Sequence, residues 1–502
     1  MFLSAFFPSG AVPAYSVESP YSQFIPYSPY FIVSTAGILS AGNFIVKASA
    51  SNGGSGAYMM SNPVPVSVYS VQRVSSILAD TESDAPSDYI VYNNKLYFSA
   101  NMNVSSWKKL FCYDGSEITR ISNVFSDVSN NANGSDAISN LCVLHGRLYF
   151  TADRNSINKQ KLYYYDGSSI VQVSDLDYDP DDGWLIDDVR NVTVHDNKIF
   201  FTARNNYSIY KLYCYDGTLL YRVSDTSGNA YITDDPGNLY SFNGYLYFTS
   251  SNDLDNVRIK LYRYDGTTVS QVANTSGNNS ISDFTSDLTG YNGSLYFFSM
   301  NSLGYSKLYA YDGSTVRQIT DILPGSTDFP KNLRVCNGKL YFTANSGSGF
   351  KSLYSYDGTT VRREINSSNG YDDNPENLMV HDDQLFFSAS TTSNSSFKKL
   401  FKLSNDTLQQ VTDIRIGDTD DPKPLLSTQD GLYFYARCTG GGVKLYLFND
   451  SNAFMISNTT KSLMKDDIII NPYYKITEYG GALYCSMNEE VNTKPKIYRI
   501  QK

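Results

Sequence analysis

The chain has 502 residues, of which 41% are hydrophobic and 18% charged, with 43 Tyr and 27 Phe against 2 Trp. Tyr and Phe favour half-buried pleated surfaces, so composition points to an all-β class. A net charge of −10 argues against nucleic-acid partners and polybasic membrane contact, and no apolar run is long enough to span a bilayer as a helix.

Residues 1–67 carry only two charged side chains, Glu18 and Lys47, and their aromatic stretches are punctuated by Pro8, Pro13, Pro20, Pro26 and Pro29. No basic residue precedes the apolar run Met1–Phe7, and Pro8 ends it, which is not the pattern of an export signal. The segment is too apolar for a solvated linker and has no helical periodicity. It reads as an extended N-terminal arm whose Phe6, Phe7, Tyr15, Tyr21, Phe24, Tyr27, Tyr30 and Phe31 dock on a partner or plug the protein's own propeller. Asn43–Val46 and Ala57–Met60 form a candidate degenerate hairpin of the kind repeated later.

From residue 68 onward the sequence is a repeat. Val71, Val74 and Ile77 match Val316, Ile319 and Ile322 position by position, but no repeat precedes them. The motif Leu-Tyr-Phe, varied to Ile199-Phe200-Phe201, Leu385-Phe386-Phe387 and Leu483-Tyr484-Cys485, then recurs in nine copies, from Leu96 to Leu483, at spacings of 45 to 52 residues. A second motif, in full form Lys-Leu-Tyr-x-Tyr-Asp-Gly as at Lys211–Gly217, also occurs nine times, from Leu110 to Ile497. Asn-Gly precedes the first motif at Asn243, Asn292 and Asn337, and Asp-Gly closes the second at Asp114, Asp166, Asp216, Asp265, Asp312 and Asp357. Both dipeptides favour two-residue hairpin turns. One repeat therefore reads as strand A, turn, strand B (Leu-Tyr-Phe), loop, strand C (Leu-Tyr-x-Tyr), turn, strand D.

Strands B and C lack the apolar–polar alternation of a sheet with one wet face, so both faces must be covered. Blades packed face to face around an axis do this. The spacing predicts a β-propeller over 68–502 with about nine four-stranded blades, eight and ten being the neighbouring counts. The ninth repeat, ending at Lys502, has no strand D. The orphan strand at Val71, Val74 and Ile77 supplies one, closing the last blade and removing an edge.

Ile322–Leu333, Asn337–Ala344 and Leu353–Thr359 together resemble the bacterial ELWxxDGT repeat proteins, with Lys or Ser where that family has Glu and Tyr or Phe where it has Trp. The resemblance covers roughly 68–502. It implies propeller blades and an extracellular or particle-surface role, and it brings no catalytic residues.

Little else in the sequence suggests chemistry. The six cysteines fit neither a zinc pattern nor a compact disulfide framework and read as free thiols. His145, His195 and His381 stand at A–B turns, in place of Asn. Asp recurs with Pro in the D–A loops, as at Asp234, Asp372 and Asp420, which reads as solvated turns. Asp177, Asp179 and Asp181 alternate as calcium ligands can, but lack the sixth-position Gly and the closing Glu of a calcium loop. Catalytic and cofactor residues are none, and the protein is expected not to be an enzyme. The expectation is a structural or adhesion propeller displayed on a virion, most simply a bacteriophage particle, anchored to other virion proteins through 1–67 and contacting a host glycan or receptor. The alternative is a secreted or cell-surface, lectin-like binding module.

Overall fold

The computed structural model describes the strand backbones of residues 2–68 and most of Tyr69–Gln501; the longer stretches it leaves undescribed are 125–133, 154–159, 177–186, 252–257, 365–372, 391–396, 458–466, 468–475 and 489–493. The protein is all-β, with nine four-stranded blades arranged as a β-propeller. Two compact units are present, residues 87–424 and residues 1–86 with 425–502.

Unit 87–424 holds blades 1 to 7, each a meander in the order A-B-C-D. In blade 1 the strands are Ser87–Tyr92, Lys95–Asn101, Lys108–Tyr113 and Ile118–Arg120. In blade 5 they are Ser286–Tyr291, Ser294–Met300, Ser306–Tyr311 and Val316–Gln318. The Leu-Tyr-Phe motif packs as its pattern requires. Leu148 and Phe150 of blade 2 meet Tyr97, Leu110 and Cys112 of blade 1, whereas Tyr149, between them in sequence, meets Ile199 and Phe201 of blade 3. Successive strand residues point to opposite faces, so one three-residue motif serves both neighbours. The Phe of each motif also pairs across to the first aromatic of strand C, stacked at 5.9 to 6.0 Å in Phe150–Tyr163, Phe201–Tyr213, Phe248–Tyr262 and Phe297–Tyr309, among others.

The unit of 1–86 and 425–502 contains blade 8 (its strand A begins at Lys423) and blade 9. Blade 9 is built from Thr477–Tyr479, Ala482–Met487, Lys496–Gln501 and Ser70–Arg73. Val71 lies opposite Ile500, and the Val74 N–H donates to the Ile497 carbonyl at 2.8 Å. The orphan strand thus completes the last blade, as the repeat count predicts; Ile77 lies just beyond the paired stretch.

The described residues among the first 68 are strands. Phe2–Ser4, Tyr30–Thr35 and Ser22–Tyr27 form one sheet; Val12–Val17, Gly42–Ser51, Tyr58–Met60 and Val64–Val68 form another. Tyr15, Phe24, Tyr27, Tyr30 and Phe31 lie in these strands, while Phe6, Phe7 and Tyr21 lie outside the described residues. The expected pairing of Asn43–Val46 with Ala57–Met60 is corrected: Asn43–Val46 lies opposite Val64–Ser67, and it is Ser49–Ser51 of the same strand that pairs with Tyr58–Met60, within a sheet that lacks the A-B-C-D order of a blade.

The turns explain the recurring dipeptides. In blade 5 the Asp312 carboxylate accepts the N–H groups of Thr315 and Ser314 at 2.7 and 2.8 Å, and the Tyr311 hydroxyl donates to the Gly313 carbonyl at 2.6 Å. Gly313 has φ of 103°, open only to glycine without strain. Hydrogen bonds to the ionised form hold these carboxyls low: the Glu117 and Ser116 N–H groups bring Asp114 to about 2, those of Ser169 and Ser168 bring Asp166 to about 2, and Asp312 is lowered likewise. Carboxyls depressed by folding stabilise above their unfolded range and lose that contribution as pH falls through the folded value. Between pH values of about 4 and 2, acid unfolding of an Asp166→Asn variant should therefore show a shallower dependence on pH than the parent; identical acid profiles would show that the turn carboxylates do not matter.

Candidate functional site

Eight of the nine blades contain the same buried ion pair. The second residue of strand C (the first in blade 9) is Lys in every blade but the sixth, and its ammonium meets an Asp from the following D–A loop. Lys109–Asp136 is 2.7 Å, Lys211–Asp234 2.8 Å, Lys260–Asp283 2.7 Å, Lys307–Asp328 3.0 Å and Lys444–Asp467 2.8 Å, with the Asp side chain wholly buried in each. Lys161–Asp187, Lys399–Asp420 and Lys496–Asp84 complete the set. A second oxygen comes from the first residues of the D–A loop, from Asn123, Asp175, Asp225, Asn274, Asp321 or Asp413. In blade 1 a hydroxyl two residues past strand D finishes the cage: Ser122 accepts the Leu110 N–H at 2.8 Å and donates to Asp136 at 2.5 Å.

The same Asp ties its blade to the next through its backbone. Asp234 donates its N–H to the Tyr210 carbonyl in blade 3 at 2.9 Å, and its carbonyl accepts from the Ser251 N–H in blade 4 at 2.7 Å. Asp136, Asp283 and Asp328 do the same. The reading of these Asp-Pro loops as solvated turns is therefore corrected. Asp234 and Asp420 are buried anions, tolerated only because each has an ammonium and N–H donors around it. Asp177, Asp179 and Asp181, the calcium candidates, lie outside the described residues, as does Asp372. Among the described residues no cluster of His, Cys, Asp or Glu is placed to hold a metal.

The other residues singled out by sequence are structural. All six cysteines are free, and burial raises the thiols of Cys142 and Cys336 to about 11. His145 is a turn residue with φ of 48°, as expected. His195 and His381 instead end strands A and are buried; His195 shares a 2.8 Å hydrogen bond with the Ser241 hydroxyl of blade 4 and packs on Phe200. Burial lowers its pKa, so it fills a neutral core slot that Tyr92 and Tyr291 fill in their blades.

The repeat obscures a site because the scaffold positions are uniform, but the loop end is not. In an A-B-C-D meander the D–A and B–C loops emerge at one end of the blade, and both hairpin turns at the other. Of the seven most exposed large apolar side chains among the described residues, six lie at the loop end of blades 3 to 7: Tyr231, Ile281, Phe284, Leu303, Phe329 and Ile416, at 47 to 81% exposure. Only Leu219 is at the turn end. Two of the six are strained. Where described, the residue after each buried loop Asp has positive φ, and Ala85, Ala137, Asp188, Asp235, Asn374 and Asp421 occupy this left-handed position in their loops. Phe284 and Phe329 occupy it with φ of 48° and 43°. Asn and Asp tolerate this conformation; for a bulky residue it is an outlier.

The first residues of strands A and C also face this end and vary from blade to blade. Lys108 donates to Ser87 at 3.1 Å in blade 1, and Ser139 to Gln160 at 3.0 Å in blade 2. In blade 3 the Arg190 guanidinium lies 4.2 Å over the Tyr210 ring, with Asp188 accepting from the Tyr210 hydroxyl at 2.5 Å. Burial, and then Asp188, push that phenol up to about 12. Blade 7 has the ion pair Lys398–Glu376.

No protein-family model matches the sequence, and no curated protein does. Among solved structures the protein is similar to the β-propeller domain of the Trilobed protease from Pyrococcus furiosus, with 9% identity over 64% of this chain and 97% of that one, at a TM-score of 0.35. It is also similar to Pyrococcus horikoshii acylaminoacyl peptidase, with 9% identity over 82% of this chain and 59% of that one, TM-score 0.37. A prolyl endopeptidase structure gives 11% identity, 71% and 55% coverage, and 0.41. The protein spans little more than half the length of these last two. These neighbours are named as peptidases or a protease domain, where a non-enzymatic adhesion protein was expected, so that expectation is corrected and not retained; at this identity the likeness itself bears on the propeller fold alone.

Proposed function

We propose that the protein is a polypeptide-handling propeller whose loop end, over blades 3 to 7, receives an extended segment with apolar side chains. The observation that carries this is the pair Phe284 and Phe329. Each holds a left-handed backbone that costs about 1 kcal/mol or more for a non-glycine residue, and each leaves about half its side chain in water. Neither choice helps folding, and Asn374 shows that the loop accepts a less strained residue. A bulky aromatic ring kept half exposed on a left-handed backbone, where Asn and Asp serve elsewhere, marks a contact surface.

The test uses short labelled peptides of Phe, Leu, Ser and Pro with the full-length protein, read by anisotropy for binding and by mass spectrometry for cleavage. Phe284→Asn with Phe329→Asn should weaken binding at least about tenfold, the scale of a lost aromatic anchor. The same double variant should unfold at higher temperature, because Asn relieves the backbone. Unchanged peptide affinity in a folded double variant would overturn the proposal.

A further inference from the structure

Blade 6 breaks the repeat twice at one place. Strand C of blade 5 begins Ser306-Lys307-Leu308, and that of blade 6 begins Lys351-Ser352-Leu353. The Lys and Ser are transposed. The cage position thus holds buried Ser352, and the ammonium is moved out to the first residue of the strand, at the loop end. At that level, the first residues of strands A and C complement each other in blades 1, 2, 3 and 7: Ser87 with Lys108, Ser139 with Gln160, Arg190 with Tyr210, Glu376 with Lys398. In blade 6 the two are Lys331 and Lys351.

Like charges at positions that touch in those four blades are destabilising. Burial, and next Lys331, lower the Lys351 pKa, while Glu376, which pairs with Lys398, acts in the opposite direction. Among the described residues neither ammonium has a side-chain hydrogen bond or ion pair. Phe329, strained and half exposed, is two residues before Lys331. An uncompensated pair of ammonium groups beside an exposed aromatic ring has the chemistry to recognise a carboxylate next to an apolar side chain.

We propose that Lys331 and Lys351 bind a carboxylate of the polypeptide held at the loop end, Phe329 packing on the adjoining apolar side chain. This deepens the preceding reading and rests on it. The carboxylate is either the C-terminus of the bound polypeptide or one of its Asp or Glu side chains, and the probes separate the two.

Three labelled peptides of Phe, Leu, Ser and Pro are compared on the full-length protein: one with a free C-terminus, one amidated, and one amidated with an internal Glu. A carboxylate peptide should bind at least about tenfold tighter than the amidated one, and raising salt from about 0.05 to about 0.5 M should erase the difference. A free-C-terminus preference identifies the terminal carboxylate; a preference for the Glu peptide identifies a side chain. The deciding variant is Lys331→Glu, which installs the Glu–Lys pair that blade 7 already has. It should keep or raise the melting temperature, leave affinity for the amidated peptide unchanged and abolish the carboxylate preference. Equal binding of all three peptides, or a preference that survives Lys331→Glu, would overturn the carboxylate site while leaving the polypeptide reading intact. Binding of none would remove both.

Discussion

Lys260→Met is expected to destabilise the protein by about 3–5 kcal/mol, the cost of leaving one member of a buried ion pair without the other. The ammonium it removes is wholly buried and contacts Asp283, Asn274, Ser276 and the Asn278 carbonyl, all within 3.0 Å. Methionine fills the volume, so the loss reflects the anion left behind at Asp283 more than a cavity. Lys260→Met with Asp283→Asn removes that charge, keeps an acceptor for the Thr275 N–H at 2.9 Å, and should recover a substantial part of the loss. Urea unfolding of the parent and both variants measures this. A single variant within about 1 kcal/mol of the parent would show that the cages do not clamp the blades.

The second large effect is expected on removing residues 1–77. Deletion strips the outer strand from blade 9 and exposes the hydrogen-bonding edge of Lys496–Gln501. It also removes Ser75, whose hydroxyl accepts the Ile497 N–H at 2.8 Å and donates to Asp84 at 2.6 Å. An unpaired strand edge recruits other molecules, so size-exclusion chromatography should show oligomers or precipitate in place of the parent's elution. A synthetic peptide of residues 69–86 added during refolding should restore the parent's behaviour. A truncated protein that elutes and melts as the parent does would show that the closing strand is dispensable.

The blade architecture was legible because its signals are local. Leu-Tyr-Phe, Asn-Gly and Asp-Gly each lie within a few residues, and the closing strand at Val71 and Val74 resembles its counterparts directly. The cages were not legible. Lys211 and Asp234 stand 23 residues apart, Lys307 and Asp328 21, and Lys109 and Asp136 27, across loops of differing length. A Lys beside core leucines and an Asp beside Pro each have an ordinary surface reading. One signal was available: the Lys precedes the second motif's Leu or Ile in eight repeats of nine, more constant than a solvated position needs to be. The loop-end surface was hidden for a different reason. Nothing in the sequence around Phe284 or Phe329 marks a left-handed backbone, which follows from where the buried Asp before each must sit. Lys331 and Lys351 become notable only when strands A and C are set side by side with those of other blades.

The cage has a consequence for how such a protein can grow. Each repeat but the sixth contributes a socket built on the strand C lysine, and the loop leading into the next repeat contributes the plug that fills it. A duplicated or deleted stretch of one such repeat length therefore gains or loses one socket and one plug together, and leaves no orphaned charge. The last socket, at Lys496, is filled by a plug from the other end of the sequence, Asp84. Blade number in such an architecture can change in whole steps without new chemistry, and a circular permutant opened at any D–A junction keeps every plug and socket matched.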